Sequence, residues 1–194
     1  PMPSKKWTKK LTRMLKDGQQ LERSFAKHKL KFIRKREKIA PLYYQRAIEA
    51  LEQLAEKAAE LKIPLAVESR SRFEDVPNES EMLRLQDHFK ENPWVGYWHD
   101  FGHVQLKHNL GLLNHDQWLE KMAPYLVGCH VHDVYWPDRD HRVPLTGELD
   151  FDKLLRHIDP KLPFVWELSP TREAPQIKEA LQVWQAKFPD TLSD

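Results

Sequence analysis

Apolar positions along the 194-residue chain follow two alternating rhythms. Ile48, Leu51, Ala55, Ala58 and Leu61 recur every three or four residues, the spacing of one helical face. Pro41 opens this helix, since a proline in the first turn loses no helical hydrogen bond. Directly after it, Ile63-Pro64-Leu65-Ala66-Val67 is a short unbroken apolar run, the pattern of a buried strand, and it stops at Glu68. The polar stretch Ser69–Pro77 reads as a loop. Asn78, with Glu81 three residues on, caps a helix that carries Met82, Leu83, Leu85 and Phe89.

The same unit returns three times. A strand over Trp94–Trp98 delivers the loop His99–His115, which contains Asp100 and His103, and Asn114 or Asp116 caps a short helix with Trp118, Leu119 and Met122. Leu126–Cys129 is the third strand, followed by His130, His132 and Asp133, a long loop Tyr135–Glu148, and a helix capped by Asp150. Pro163–Trp166 is the fourth strand, ending at Glu167, and the helix Pro175–Lys187 closes the series. The strands end near 68, 99, 130 and 167, steps of 31, 31 and 37 residues. Repeated strand–helix units of this length predict an α/β fold around a parallel sheet. Upstream, residues 4–38 read as helix in two pieces broken near Asp17-Gly18, with Leu11, Met14 and Leu15 and then Leu21, Phe25, Leu30 and Phe32 as its apolar positions.

Composition changes this picture in two places. At 40% hydrophobic and 31% charged residues, the chain can build one sizeable core, and no apolar run reaches the roughly 20 residues that span a bilayer. The charge is uneven. Residues 1–40 hold 14 Lys/Arg against 3 Asp/Glu, and the remainder holds 17 against 26. A basic arm of this kind meets nucleic acid or phosphate, or is simply a solvated helical face. A single cysteine, Cys129, excludes an intrachain disulfide framework and fits a reducing cytoplasm; within an apolar strand it reads as a buried, inert thiol.

The chemistry lies at the strand ends. Glu68, Asp100, His130 and Glu167 each terminate a different strand, and in parallel α/β sheets ligand groups gather past the carboxyl ends. Two Glu, one Asp and one His form an oxygen-rich, mixed-nitrogen donor set. It suits Mn²⁺, Mg²⁺, Co²⁺ or Zn²⁺. His103 is placed to hold a second metal or a substrate oxygen, and His132 and Asp133 to orient neighbours. Arg70, His141 and Arg142 lie in loops on the same side, as clamps for hydroxyls or phosphate.

Five segments carry a resemblance: Val67-Glu68-Ser69-Arg70, Gly96–His103, Gly128–Asp133, Asp140–Gly147 and Val165-Trp166-Glu167. Together, over about residues 40–185, the chain resembles the xylose isomerase-like TIM barrels, the sugar phosphate isomerase/epimerase group that also contains the AP endonuclease relatives. The resemblance implies Glu68, Asp100, His130 and Glu167 as metal ligands, His103 as second ligand or substrate contact, and Arg142 as substrate contact. In epimerase-type members the first and last glutamates also form the proton-transfer pair. Ser69 stands where the family usually has Asn. Such a barrel has eight strands and about 250 residues, whereas four strands are legible here, matching strands five to eight. The resemblance therefore implies a partial (β/α)8 barrel: residues 1–40 as a basic helical insertion, 41–194 as the C-terminal half.

The expected activity is divalent-metal-dependent isomerisation or epimerisation of a small sugar or sugar phosphate. The alternatives are a phosphodiesterase acting on abasic DNA, and an inactive barrel fragment serving as a binding module. Since a half barrel exposes strand edges, its completion is expected from a missing N-terminal half or from a second copy.

Overall fold

A computed structural model describes residues 6–191, which fall into two compact units, residues 6–96 and 97–191. The expected helix start at residues 4 and 5 lies outside the described residues. In the first unit, α1 (Trp7–Lys16) stops at Asp17-Gly18, where Gly18 takes a φ of 74°. A 3-10 turn (Gln19–Leu21) leads into α2 (Arg23–Leu61), then β1 (Leu65–Glu68) and α3 (Glu79–His88).

The helix expected to begin at Pro41 does not begin there. α2 runs for 39 residues straight through Pro41, about 58 Å at 1.5 Å per residue. Its buried residues Phe25, Phe32, Arg36, Ala40, Ile48, Ala55 and Ala58 form one continuous face, and Pro41 lies on the exposed side. The helical bond that proline cannot make is lost where water reaches the backbone, while the packed face is unbroken. Leu21 and Leu30, expected on the apolar stripe, are exposed.

The basic segment is built into its unit. Trp7 stacks on Phe32 at 5.6 Å between ring centroids and on Phe73 at 6.1 Å. Arg36 is buried, and its fork donates to both carboxylate oxygens of Glu81 at 2.7 and 2.6 Å. Its Nε donates to Phe73 O (2.7 Å) and its Nη2 to Asp75 O (2.6 Å). Thr8 donates through its amide (3.1 Å) and its hydroxyl to Glu74. These bonds fix the loop 69–77 that follows β1. Glu81 also completes the expected capping box with Asn78. Ile48, Ala55, Leu85, Phe89 and Val95 form a core with Val67 of β1 packed against it, and Leu65 N–H donates to Trp94 O at 2.8 Å, beside the start of β2.

β2 (Val95–Asp100) continues into the second unit, where α4 (Phe101–Asn109), α5 (His115–Met122), β3 (Leu126–Val131), β4 (Asp133–Tyr135), β5 (Arg139–Arg142), α6 (Phe151–Leu154), β6 (Phe164–Trp166) and α7 (Ala174–Lys187) follow. β2, β3 and β6 are parallel neighbours, with Asp100 opposite His130 and His130 opposite Val165. Two stretches expected as loops are ordered elements. Residues 101–109 are helical because Asp100 caps them, accepting the His103 N–H. Residues 133–142 form an antiparallel hairpin, β4–β5. As expected, Cys129 is buried, and burial pushes its thiol pKa up.

Behind β2 runs a chain of hydrogen bonds through buried residues. Trp118 Nε1 donates to Tyr97 Oη (3.0 Å), Tyr97 Oη meets His99 Nδ1 (3.0 Å), His99 Nε2 meets His115 Nε2 (3.0 Å), and His115 Nδ1 meets Gln105 Oε1 (2.8 Å). Gln105 then donates to Asn109, and Asn109 to Pro137 O in the hairpin turn. An amide oxygen only accepts, so His115 carries its proton on Nδ1 and His99 its proton on Nε2. One consistent direction satisfies every link with both rings neutral. Burial lowers the His99 pKa to about 3 and that of His115 well below its ordinary value.

Candidate metal centre

Parallel register places the donors. Asp100 closes β2 and His130 lies opposite it on β3. Val165 lies opposite His130, and Glu167, two residues further, returns to the same face of the sheet. The geometry follows: His130 Nδ1 stands 3.8 Å from Asp100 Oδ2 and 3.2 Å from Glu167 Oε2. His103, one turn into α4, brings Nδ1 to 3.4 Å from Asp100 Oδ2. Asp100, His130 and Glu167 each offer a ligand atom within 4.8 Å of the others. Two donors on one divalent ion, with bonds of about 2.1–2.3 Å, stand about 3.0–3.7 Å apart. The spacings of 3.2 and 3.4 Å lie within that range and 3.8 Å just beyond it, and the mixed oxygen and nitrogen chemistry fits such an ion.

Burial grades across the group. Asp100 is buried, the His130 side chain is 27% exposed and Glu167 43%. Burial acts to raise the Asp100 pKa, but the hydrogen bond and charge of His132, with His103, outweigh it and hold the carboxyl below its ordinary value. Asp100 Oδ1 accepts from His103 N–H at 2.7 Å and from His132 Nε2 at 3.0 Å. The second oxygen thus faces His103 and His130, where a cation is wanted.

His132 lies against Asp100, its Nε2 at 3.0 Å from Oδ1. It is buried, and the His141 N–H donates to its Nδ1 at 2.9 Å, so the ring proton sits on Nε2 and points at Asp100. Burial lowers the His132 pKa, Asp100 raises it, and the balance is upward. The His141 ring stacks on His132 at 4.3 Å and reaches Glu167 Oε1 at 3.6 Å. His141 adopts a φ of 52°, a left-handed conformation that costs a non-glycine residue energy and aims its amide at the imidazole.

The remaining assigned residues have surroundings of their own. Asp133 orients the loop rather than a ligand, accepting N–H bonds from Val134 (2.8 Å), Gly147 (2.7 Å) and Leu149 (3.1 Å). Arg142 lies over the Tyr135 ring, 5.1 Å to its centroid. In the first unit, Glu68 closes β1 and lines a cavity with Arg70, Tyr43 and Arg46. Arg70 is half-exposed, 3.9 Å from Asp75 Oδ2. His99 faces the buried chain behind β2 instead of the donors.

Sequence reading passed over Gly102. A Cβ there would lie 2.0 Å from His132 Cε1, so only glycine lets α4 approach the ring that holds Asp100. The signal was a glycine between the Asp and the His of Asp-x-x-His.

The chain belongs to the xylose isomerase-like TIM barrel family, whose family model matches residues 9–187. β1, β2, β3 and β6 are accordingly the strands of a partial barrel, and the described residues close no full one. Among solved structures the chain is similar to a D-tagatose 3-epimerase-like protein, at 20% identity and a TM-score of 0.60 over 77% of this chain and 57% of that one. It is also similar to the 3-keto-D-glucoside 4-epimerase YcjR from E. coli, at 18% identity and 0.58 over 74% and 53%. A third is a D-psicose 3-epimerase solved in the presence of D-fructose, at 18% identity and 0.57 over 74% and 55%. At these identities the likeness establishes the fold. The chain spans little more than half the length of each. No curated protein matches it. No helix among the described residues is long and apolar enough to cross a membrane.

Proposed function

We propose that this chain carries the metal and proton-transfer residues of a divalent-metal-dependent isomerase or epimerase acting on a small sugar or sugar phosphate. The observation that carries the reading is the approach of Asp100, His130 and Glu167 to one point from three strand ends, with Asp100 held ionised by His132. Glu68 is proposed as the fourth ligand, on the strength of its place at the end of β1 and of the motif Val67-Glu68-Ser69-Arg70. A bound Mn²⁺, Co²⁺, Zn²⁺ or Mg²⁺ supplies Lewis-acid polarisation of a substrate carbonyl oxygen.

The protein's own groups do the rest. Glu167, the most exposed of the three strand-end donors of the second unit, takes the proton from the carbon next to the carbonyl, and Glu68 returns one to the opposite face. His103 donates to a substrate oxygen, and Arg142 and Arg70 hold hydroxyls or phosphate. A site of this kind needs walls that the described residues do not supply; we propose a four-stranded N-terminal half, or a second copy, as their source. The single buried Cys129 supports a cytoplasmic setting.

The test is metal content and Mn²⁺ titration of the protein, beside exchange of the proton α to a ketose carbonyl in D2O. Asp100→Asn and Glu167→Gln should each lose metal, and Glu167→Gln should abolish the exchange. Full occupancy in both variants refutes the ligand assignment. One observation favours the phosphodiesterase reading: Lys27, Lys31, Arg34, Lys35 and Lys38 follow one another along an exposed side of α2. Duplex DNA binding that collapses between low and moderate salt, with cleavage at abasic sites, would select it.

A further inference from the structure

One face of α2 stays exposed along almost its whole length. Lys27, Lys31, Arg34, Lys35 and Lys38 stand on it in the first half, and all five are exposed. Glu49, Glu52, Glu56 and Glu60, equally exposed, continue it in the second half. Leu42 and Gln45 join the two halves and are exposed as well. Steps of three or four residues are close to one helical turn, so the stripe follows the helix axis. From Lys27 to Glu60 it extends about 50 Å at 1.5 Å per residue. It is not the face through which Ile48 and Ala55 pack in the core beside Val67 of β1.

This order of charges is unfavourable for a helix on its own. The helix dipole favours acids in the first turn and bases in the last, and α2 has neither. Like charges also repel at four-residue spacing, and here Lys31 follows Lys27, Lys38 follows Arg34, Glu56 follows Glu52 and Glu60 follows Glu56. None of the five cations has a carboxylate within ion-pairing distance among the described residues. The acids have local partners only: Gln45 donates to Glu49 at 3.2 Å, His88 Nε2 meets Glu52 Oε1 at 2.9 Å, and Lys57 pairs with Glu60. A carboxylate has lone pairs left for a further donor.

Turned end for end, the stripe complements itself. About a point between Tyr43 and Tyr44, Lys27 falls opposite Glu60, Lys31 opposite Glu56 and Lys38 opposite Glu49, while Arg34 and Lys35 flank the position of Glu52. A two-fold axis through that point makes every contact twice, as an isologous interface requires. We propose that two copies of this chain associate through antiparallel α2 helices in this register. Charge complementarity selects a second copy, since a nucleic acid laid along the stripe would run from the cations onto Glu49, Glu52, Glu56 and Glu60. Packed helices lie about 8–10 Å apart, a gap that Lys, Arg and Glu side chains bridge. Exposed ion pairs are individually weak, so the association rests on their number and falls as salt rises. It uses neither β1 nor the metal donors, and so stands apart from the sugar isomerase reading.

The experiment is sedimentation equilibrium of the full chain at low and high salt, about 0.05 and 0.5 M NaCl. A dimer is expected at low salt, with a dissociation constant at least about tenfold higher at high salt. Lys31→Glu turns two attractive contacts into two repulsive ones and should weaken the dimer about tenfold or more, and Glu56→Lys should do the same. An equimolar mixture of the two variants should dimerise again, because both contacts of the mixed pair are complementary. Both positions are exposed, and unchanged thermal midpoints verify the fold. A chain that is monomeric at low salt overturns the proposal. So does a dimer indifferent to salt, a variant that dimerises like wild type, or a mixture no tighter than its components. A monomer that instead binds duplex DNA, with the binding weakened by Lys31→Glu, gives the stripe to a polyanion and overturns it too.

Discussion

Acid should unfold this protein through His99 and His115. Both rings are buried, held neutral and joined Nε2 to Nε2 at 3.0 Å, so a charge on either sits away from water and a proton on both breaks the bond between them. Burial lowers the His99 pKa to about 3 and that of His115 well below its ordinary value. In the unfolded chain each titrates near 6.5. The sign follows: a pKa lowered by folding gives stability that is whole above the unfolded value and is lost as pH falls from about 6.5 toward the folded value. Each pH unit costs about 1.4 kcal/mol, so a fall to pH 4.5 removes about 2.7 kcal/mol at His99, and His115 adds to the loss. That is a large share of the stability of a marginal domain. His132, whose pKa is raised, acts in the opposite sense: its contribution is present below about 6.5 and is lost as pH rises. The clean measurement is therefore a difference. Urea unfolding of wild type and His115→Gln between pH 4.5 and 6.5 should give stability slopes that differ by about 1.4 kcal/mol per pH unit, one proton. The variant is less stable at neutral pH but less acid-sensitive. Parallel slopes would refute the neutral pair, whatever the absolute stabilities.

Gly102→Ala should leave the helices folded but displace His132, lowering Mn²⁺ affinity about 10- to 100-fold, as loss of an outer-sphere partner does; unchanged affinity by calorimetry would remove His132 from its role. Gly147→Ala meets Val134 O at 2.4 Å, a backbone atom that cannot swing aside, and should lower the thermal midpoint; a midpoint equal to wild type refutes the close approach. Arg36→Met leaves Glu81 buried without its fork and should cost about 3–5 kcal/mol in chemical denaturation, the loss typical of breaking a buried pair. A loss under 1 kcal/mol would show that the loop 69–77 does not depend on it.

Periodicity alone reads β1, β2, β3 and β6, and the residues Glu68, Asp100, His130 and Glu167 at or beside their ends, because short apolar runs bounded by polar residues are local features of the chain. The capping box at Asn78 and the break at Gly18 were local in the same way. What failed were inferences in which a residue's usual habit met a longer-range constraint. Pro41 starts helices by preference, yet a packed face running from Phe25 to Ala58 carries α2 through it. The stretch after Asp100 reads as a loop in the sequence, yet the same carboxylate both caps α4 and faces His103 and His130.

The amino-acid order by itself determined where strands stop and which donor types stand at their ends, since both depend on neighbours a few positions away. Only tertiary structure decided which of these groups meet. Parallel register put Asp100 opposite His130, and the left-handed His141 turned its amide onto His132. Distance in space, unlike spacing along the chain, is set by the packing of whole elements, and no short window of sequence contains it.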